Sequence, residues 1–141
     1  MTKVDFYLLD GGTDSRERFA CRLTEKAWRL GNRVFLLAPD KPAALELDEL
    51  LWTFSQGSFV PHAVCANDGD VDVHPVLIGH TEPPAALNDV LISLAPEVPS
   101  WFSRFARVAE LVGATEDDKA RGRERFRFYR ERGYPLEAHN L

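Results

Sequence analysis

An α/β fold, a mostly parallel sheet with helices on both faces, is what this sequence predicts, and three observations predict it. Short, continuous apolar runs alternate with amphipathic stretches of helical period. The connections between them are short and carry Gly, Pro, Asn and Asp. Strand–helix–strand–helix order with such links implies right-handed crossovers and a sheet covered on both sides. A chain of 141 residues is one domain by length, spanning 1–141. At 45% hydrophobic content it can build a core without a metal or disulfide.

Val4 to Leu9 is apolar almost throughout and reads as a buried strand. Asp10-Gly11-Gly12-Thr13-Asp14 is a turn, and Asp14 or Ser15 caps the helix that follows. That helix runs from about Arg16 to Leu30, with Phe19, Leu23, Ala27 and Leu30 spaced as one buried stripe. Gly31-Asn32 stops it. Val34 to Ala38 is the second strand. Pro39-Asp40 ends it, and a second helix starts at Pro42 or Ala43 and reaches Trp52. Residues 66–74, Ala-Asn-Asp-Gly-Asp-Val-Asp-Val-His, form an acidic loop expected to be mobile.

Pro75 to Gly79 and Val90 to Leu94 are two more strands, and Glu82-Pro83-Pro84 forbids a helix between them. Trp101 to Ala106 reads as a short helix. Arg107 to Val112 could extend it, but the β-branched Val108 and Val112 before Gly113 favour a strand. A last helix runs from about Glu116 to Arg132 and stops at Gly133.

Composition excludes several classes. No apolar run approaches the ~18 residues of a membrane helix. The start Met-Thr-Lys-Val-Asp lacks the apolar core of a signal peptide, so cytoplasm is the expected address. Cys21 and Cys65 have no metal-type spacing, and Cys21 reads as a small buried hydrophobe. A net charge of −5 argues against general or direct nucleic-acid binding. Charge is nonetheless concentrated: within residues 119–132, Lys119, Arg121, Arg123, Arg125, Arg127, Arg130 and Arg132 stand against only Glu124 and Glu131.

Catalytic patterns are missing. The Rossmann-like order raises the question of a nucleotide at Gly11-Gly12, yet no glycine-rich phosphate motif is present and Asp10 and Asp14 would repel a pyrophosphate. A nucleotide or other small molecule at those strand ends is the alternative function. His62, His74, His80 and His139 share no ligand spacing, and His62 after Pro61 reads as a hydrogen-bonded turn residue. No serine or cysteine has a nucleophile context. The expectation is a chain with no enzyme activity, cofactor or metal.

Two segments point to binding. In Leu47 to His62 an amphipathic helix ends at Trp52, and the chain turns through Gly57 into Phe59. Two aromatics beside an irregular turn suit a shallow pocket better than a core. On the last helix, Lys119, Arg123, Phe126 and Arg130 share a narrow arc, with Gly122 and Tyr129 beside it toward the core. A guanidinium beside an aromatic suits a carboxylate-bearing apolar tip. The competing reading makes Phe126 and Tyr129 core residues and the cations solvated.

These segments resemble one family. Asp5-Phe6-Tyr7-Leu8-Leu9-Asp10, Lys26-Ala27-Trp28, Gly31-Asn32-Arg33-Val34, Leu47 to His62, Asp89 to Leu94 and Arg123 to Arg130 are similar, in this order, to the chi subunit of bacterial DNA polymerase III, a clamp-loader accessory protein. The resemblance implies a non-catalytic adaptor that binds the acidic C-terminal tail of single-stranded DNA-binding protein, whose last residue is phenylalanine. Carried over, the tail pocket comprises Trp52, Phe59, Val112, Lys119, Arg123 and Phe126. Arg123 takes the terminal carboxylate, Trp52, Phe59 and Val112 enclose the last aromatic, and Lys119 meets the preceding acids. Phe126 stands where a tyrosine is common, so a hydroxyl contact is lost. The family's second partner is the psi subunit. The aromatic-rich segment with Val98, Trp101, Phe102 and Phe105 is the candidate surface for it, with core packing the competing reading.

Overall fold

Residues 1–11, 15–65 and 74–141 are described by the structure, a computed structural model. They form a seven-stranded parallel sheet and three α-helices. The strands are β1 (Lys3–Leu8), β2 (Val34–Leu37), β3 (His62–Val64), β4 (Val76–Gly79), β5 (Val90–Ser93), β6 (Arg107–Val112) and β7 (Leu136–Asn140). Their order across the sheet is β3-β4-β2-β5-β6-β1-β7.

Helix α1 (Arg16–Arg29) begins at Ser15, whose hydroxyl accepts the Arg18 N–H. Helix α2 (Lys41–Thr53) starts slightly before Pro42, because the Asp40 carboxylate accepts the Ala43 N–H and caps it. Helix α3 (Glu116–Glu131) is capped by Thr115 in the same way. The acidic residues of its first turn, Glu116, Asp117 and Asp118, favour the positive end of the helix dipole.

The two faces of the sheet carry separate cores. Helices α1 and α2 cover one through Ala20, Cys21, Leu47 and Leu51, packed on Leu36, Ile78, Ile92 and Leu111. Helix α3 and the Phe102–Arg104 turn cover the other through Phe102, Phe105 and Tyr129, packed on Phe6, Phe35, Leu91 and Val108. Every residue of β2, β4 and β5 is buried, as a strand covered on both faces requires.

Several expectations are corrected. The buried stripe of α1 is Ala20, Cys21 and Thr24, with Phe19, Leu23 and Ala27 half-buried beside it, while Leu30 is 73% exposed beyond the helix end. The expected helix over 101–106 is a single 3₁₀ turn, because Phe105 is already extended as it enters β6. Strands β3 and β7 were not expected. Both are edge strands, where half-exposed residues blur the apolar run. Gly12 to Asp14 and the acidic 66–73 stretch lie outside the described residues.

Cys21 is fully buried, and burial pushes its thiol up to about 12, which removes any ready thiolate. At the β7 edge, Asp5 accepts hydrogen bonds from Arg107 (2.9 Å) and His139 (3.1 Å). Burial alone would raise the Asp5 carboxyl, but those two bonds together with the positive charges of Arg107 and Lys3 outweigh it and hold it below the ordinary 3.8. A depressed folded value means stability that is present above the unfolded value and lost as pH falls through the folded one. Asp5→Asn is therefore expected to cost about 1.5–3 kcal/mol near neutrality. Urea denaturation should show the difference from wild type closing below about pH 4.

Candidate functional site

Where the carboxyl ends of β1, β6 and β7 meet α3, the sheet leaves a pocket of about 440 Å³. Phe6 and Leu8 of β1, Val112 of β6 and Ala138 of β7 make an apolar floor. One wall is α3, which presents Lys119, Gly122, Arg123 and Phe126 one turn apart. Gly122 lets the helix approach: a Cβ there would lie 2.9 Å from Val112 Cγ1, closer than side chains tolerate. Phe126 packs edge-on against Phe6, with ring centroids 5.2 Å apart.

The wall is cationic. Arg123 is exposed and, among the described residues, makes no hydrogen bond or ion pair. Lys119 is half-exposed, with only a 3.9 Å approach to Glu116. Asp10, two residues after β1, also lines the pocket. An anionic group entering the pocket is thus directed to the helix wall, and an apolar group to the floor.

Beneath that wall α3 is locked in rotation. Arg125 Nε donates to Glu110 Oε1 at 2.9 Å and Tyr129 Oη donates to Glu110 Oε2 at 2.7 Å. Arg125 Nη1 also donates to the Pro96 carbonyl at 2.9 Å. Glu110 is completely buried and Arg125 is 5% exposed. Burial pushes the Glu110 carboxyl above the usual carboxylate range, opposed by the guanidinium and the phenol, and raises the Tyr129 hydroxyl. Sequence reasoning missed this cluster. Its signal was a lone acid, Glu110, inside an apolar strand, which has to be paired.

Of the six residues expected to share one site, Val112, Lys119, Arg123 and Phe126 come together. Trp52 and Phe59 do not join them. Trp52 sits at the end of α2, beside β3, and α2 packs on the other face of the sheet. β3 and β1 are five strand steps apart, about 24 Å. Arg130, on the same helical arc, lies outside the pocket because the pocket ends at Phe126.

Trp52 and Phe59 form a surface of their own. They are 53% and 58% exposed, with ring centroids 5.6 Å apart. Gly57, at φ 79°, makes the turn that brings Phe59 back to Trp52. His62 is buried behind them, opening β3 rather than sitting in a turn, and both its nitrogens are hydrogen-bonded.

The second expected surface is also corrected. Phe102 and Phe105 are core residues, 5% and 1% exposed, because the 3₁₀ turn folds them under α3 and onto the sheet. Val98 and Trp101 are half-buried beside them.

Asp5, Glu137 and His139 bring possible ligand atoms within 4.8 Å of one another. Arg107 and Lys3 already neutralise that group, at 2.9 Å from Asp5 and 3.4 Å from Glu137. No helix among the described residues is long and apolar enough to cross a membrane.

A family model described as "DNA polymerase III chi subunit, HolC" matches residues 1–137. The chain is 44% identical to "DNA polymerase III subunit chi" of Pseudomonas aeruginosa, covering 100% of this chain and 98% of that one. It is 33% identical to the protein of the same name in Escherichia coli K12, over 96% of each chain.

Proposed function

Because the chain belongs to the DNA polymerase III chi subunit family, an accessory component of the replisome, we propose that it is a non-catalytic adaptor with two protein-binding surfaces. The pocket under α3 holds the acidic C-terminal tail of single-stranded DNA-binding protein. The Trp52–Phe59 surface engages the psi subunit and through it the clamp loader, in the cytoplasm.

One observation carries the tail reading: an Arg123 with no partner among the described residues, at the rim of an apolar pocket that also holds Lys119. A peptide ending in phenylalanine presents what that geometry favours, a terminal carboxylate beside an aromatic ring with acids before it. Arg123 supplies a planar fork for the carboxylate, and Lys119 a point charge for the acids. Phe6, Val112 and Phe126 provide the apolar floor and an aromatic edge. The test is titration with an acidic peptide ending in Pro-Phe, beside the same peptide amidated at its C-terminus. Saturable binding lost on amidation supports the reading, and equal binding of both peptides would defeat it.

The psi assignment moves from the Val98–Phe105 segment to the exposed pair. An adjacent Trp and Phe, each more than half exposed, are the residue types that anchor protein interfaces. Trp52→Ala with Phe59→Ala is expected to weaken psi binding by about 2 kcal/mol or more. Tail-peptide affinity should stay within about 0.5 kcal/mol of wild type, because the sites are too far apart to couple. Calorimetric titration of the double variant with each partner checks both halves.

A further inference from the structure

Helix α1 grips the turn between Trp52 and Phe59 at both of its ends. In the first turn of α1, Arg18 Nη2 donates to the Phe54 carbonyl at 2.8 Å. Phe54 caps α2, so its carbonyl is among those that a helix end leaves without an intrahelical partner. Two turns further along α1, the Ser58 hydroxyl donates to Glu25 Oε2, and Ser58 immediately precedes Phe59. Seven residues of an α-helix return to within about 20° of the same direction, so Arg18 and Glu25 share one edge of α1, about 10 Å apart along its axis. The Glu25 carboxylate is held in turn by Arg29 at 3.4 Å, and its side chain is only 20% exposed. Between the two anchors the chain turns at Gly57 and closes with one Ser58 N–H bond to the Ser55 carbonyl. Both aromatic rings are more than half exposed, so burial fixes them only in part and the backbone that carries them has to be held.

We propose that Arg18 and Glu25 are positioning residues of the Trp52–Phe59 surface: one edge of α1 braces the turn, so that both rings are presented already in place to the partner that docks on them. Arg18 holds the last turn of α2, which carries Trp52, and Glu25 holds the far end of the turn, which carries Phe59. A surface fixed in this way has little side-chain and loop freedom left to lose on binding. Removing either contact leaves both rings present but loose, and the partner then has to order them itself. The identity of that partner as psi rests on the preceding assignment of this surface, whereas the brace is a property of the free protein.

Hydrogen–deuterium exchange of the free protein tests the brace without any partner. In Arg18→Met, which keeps the aliphatic stem, and in Ser58→Ala, the amides of residues 50–59 should exchange about tenfold faster than in wild type, with those of α3 unchanged. Arg18→Lys, which can still donate to the carbonyl, should recover much of the protection. Calorimetric titration with psi reads the consequence. Each variant should bind about tenfold more weakly, the loss of one charge-assisted hydrogen bond, and the Ser58→Ala effect should shrink below about twofold when Phe59→Ala is already present. If Arg18→Met does not fold, Ser58→Ala carries both measurements. Wild-type exchange over 50–59 overturns the proposal, and so does faster exchange spread evenly over the chain, which would make these contacts ordinary contributors to folding. Psi binding weakened by Trp52→Ala but not by the brace variants also overturns it. Psi binding indifferent to Trp52→Ala would remove psi as the partner and leave the exchange result to decide the brace.

Discussion

Replacing Arg123 with alanine is expected to weaken binding of the acidic tail peptide by about 2–5 kcal/mol, roughly thirtyfold to several thousandfold. Among the described residues the guanidinium has no hydrogen-bond or ion-pair partner at the rim of an apolar pocket, a position suited to receive a carboxylate. Once an aromatic side chain fills the floor, water is excluded and the stranded carboxylate has no other strong partner. Lys119 could attract it, but without the planar two-point geometry. Arg123→Lys should therefore recover only part of the loss. The side chain is exposed and makes no ion pair or hydrogen bond among the described residues, so thermal stability should hardly move. Fluorescence anisotropy with labelled peptide, alongside a melting curve, measures both. Wild-type affinity in Arg123→Ala would remove this residue from the site.

Two positions along the same helix the outcome reverses. Arg125 points about 200° away from Arg123 and is buried against Glu110 and the Pro96 carbonyl. Arg125→Ala is expected to cost about 3–5 kcal/mol of folding stability, because Glu110 is left as an uncompensated buried charge. Chemical denaturation should register it directly. Replacing both partners with apolar residues of similar volume, as in Arg125→Met with Glu110→Leu, should restore most of the loss. A single Arg125→Ala within 1 kcal/mol of wild type would show that the buried pair contributes little. Any effect of Arg125 on tail binding should follow its effect on folding, whereas Arg123 should affect binding alone.

The contrast between these arginines shows what the sequence made legible. Helical period alone places Lys119, Arg123, Phe126 and Arg130 on one edge of α3 with Gly122 and Tyr129 beside it toward the core; the structure buries Gly122 and Tyr129, but Gly122 lines the pocket and Arg130 falls outside it. The interior strands were equally readable, because burial on both faces leaves an unbroken apolar run. Edge strands leave no such mark. The alternating Leu-Glu-Ala-His-Asn of β7 is largely exposed, and β3 has only three residues. Spatial order was not readable either. Trp52 and Phe59 are near each other along the chain and meet in space, as expected, but nothing local says that β3 ends up five strands from β1. The resemblance put Trp52 and Phe59 in one site with Val112, Lys119, Arg123 and Phe126, and the structure sets the two groups apart.

The register of β1 carries a consequence for how the molecule comes to exist. Val4 lies beside Leu136 on one side and Val108 on the other, so the first strand is clasped by the last two. The floor of the α3 pocket, with Phe6, Leu8, Val112 and Ala138, therefore has no existence as a local unit. A chain emerging from the ribosome can zip β2, β4 and β5 together while β1 waits for partners more than a hundred residues downstream. Such long loop closures are slow, and the waiting strand carries the apolar Val4, Phe6 and Leu8. Biosynthesis thus makes the pocket proposed for the tail a late feature: until β6 and β7 arrive its floor is incomplete and β1 has no strand to pair with.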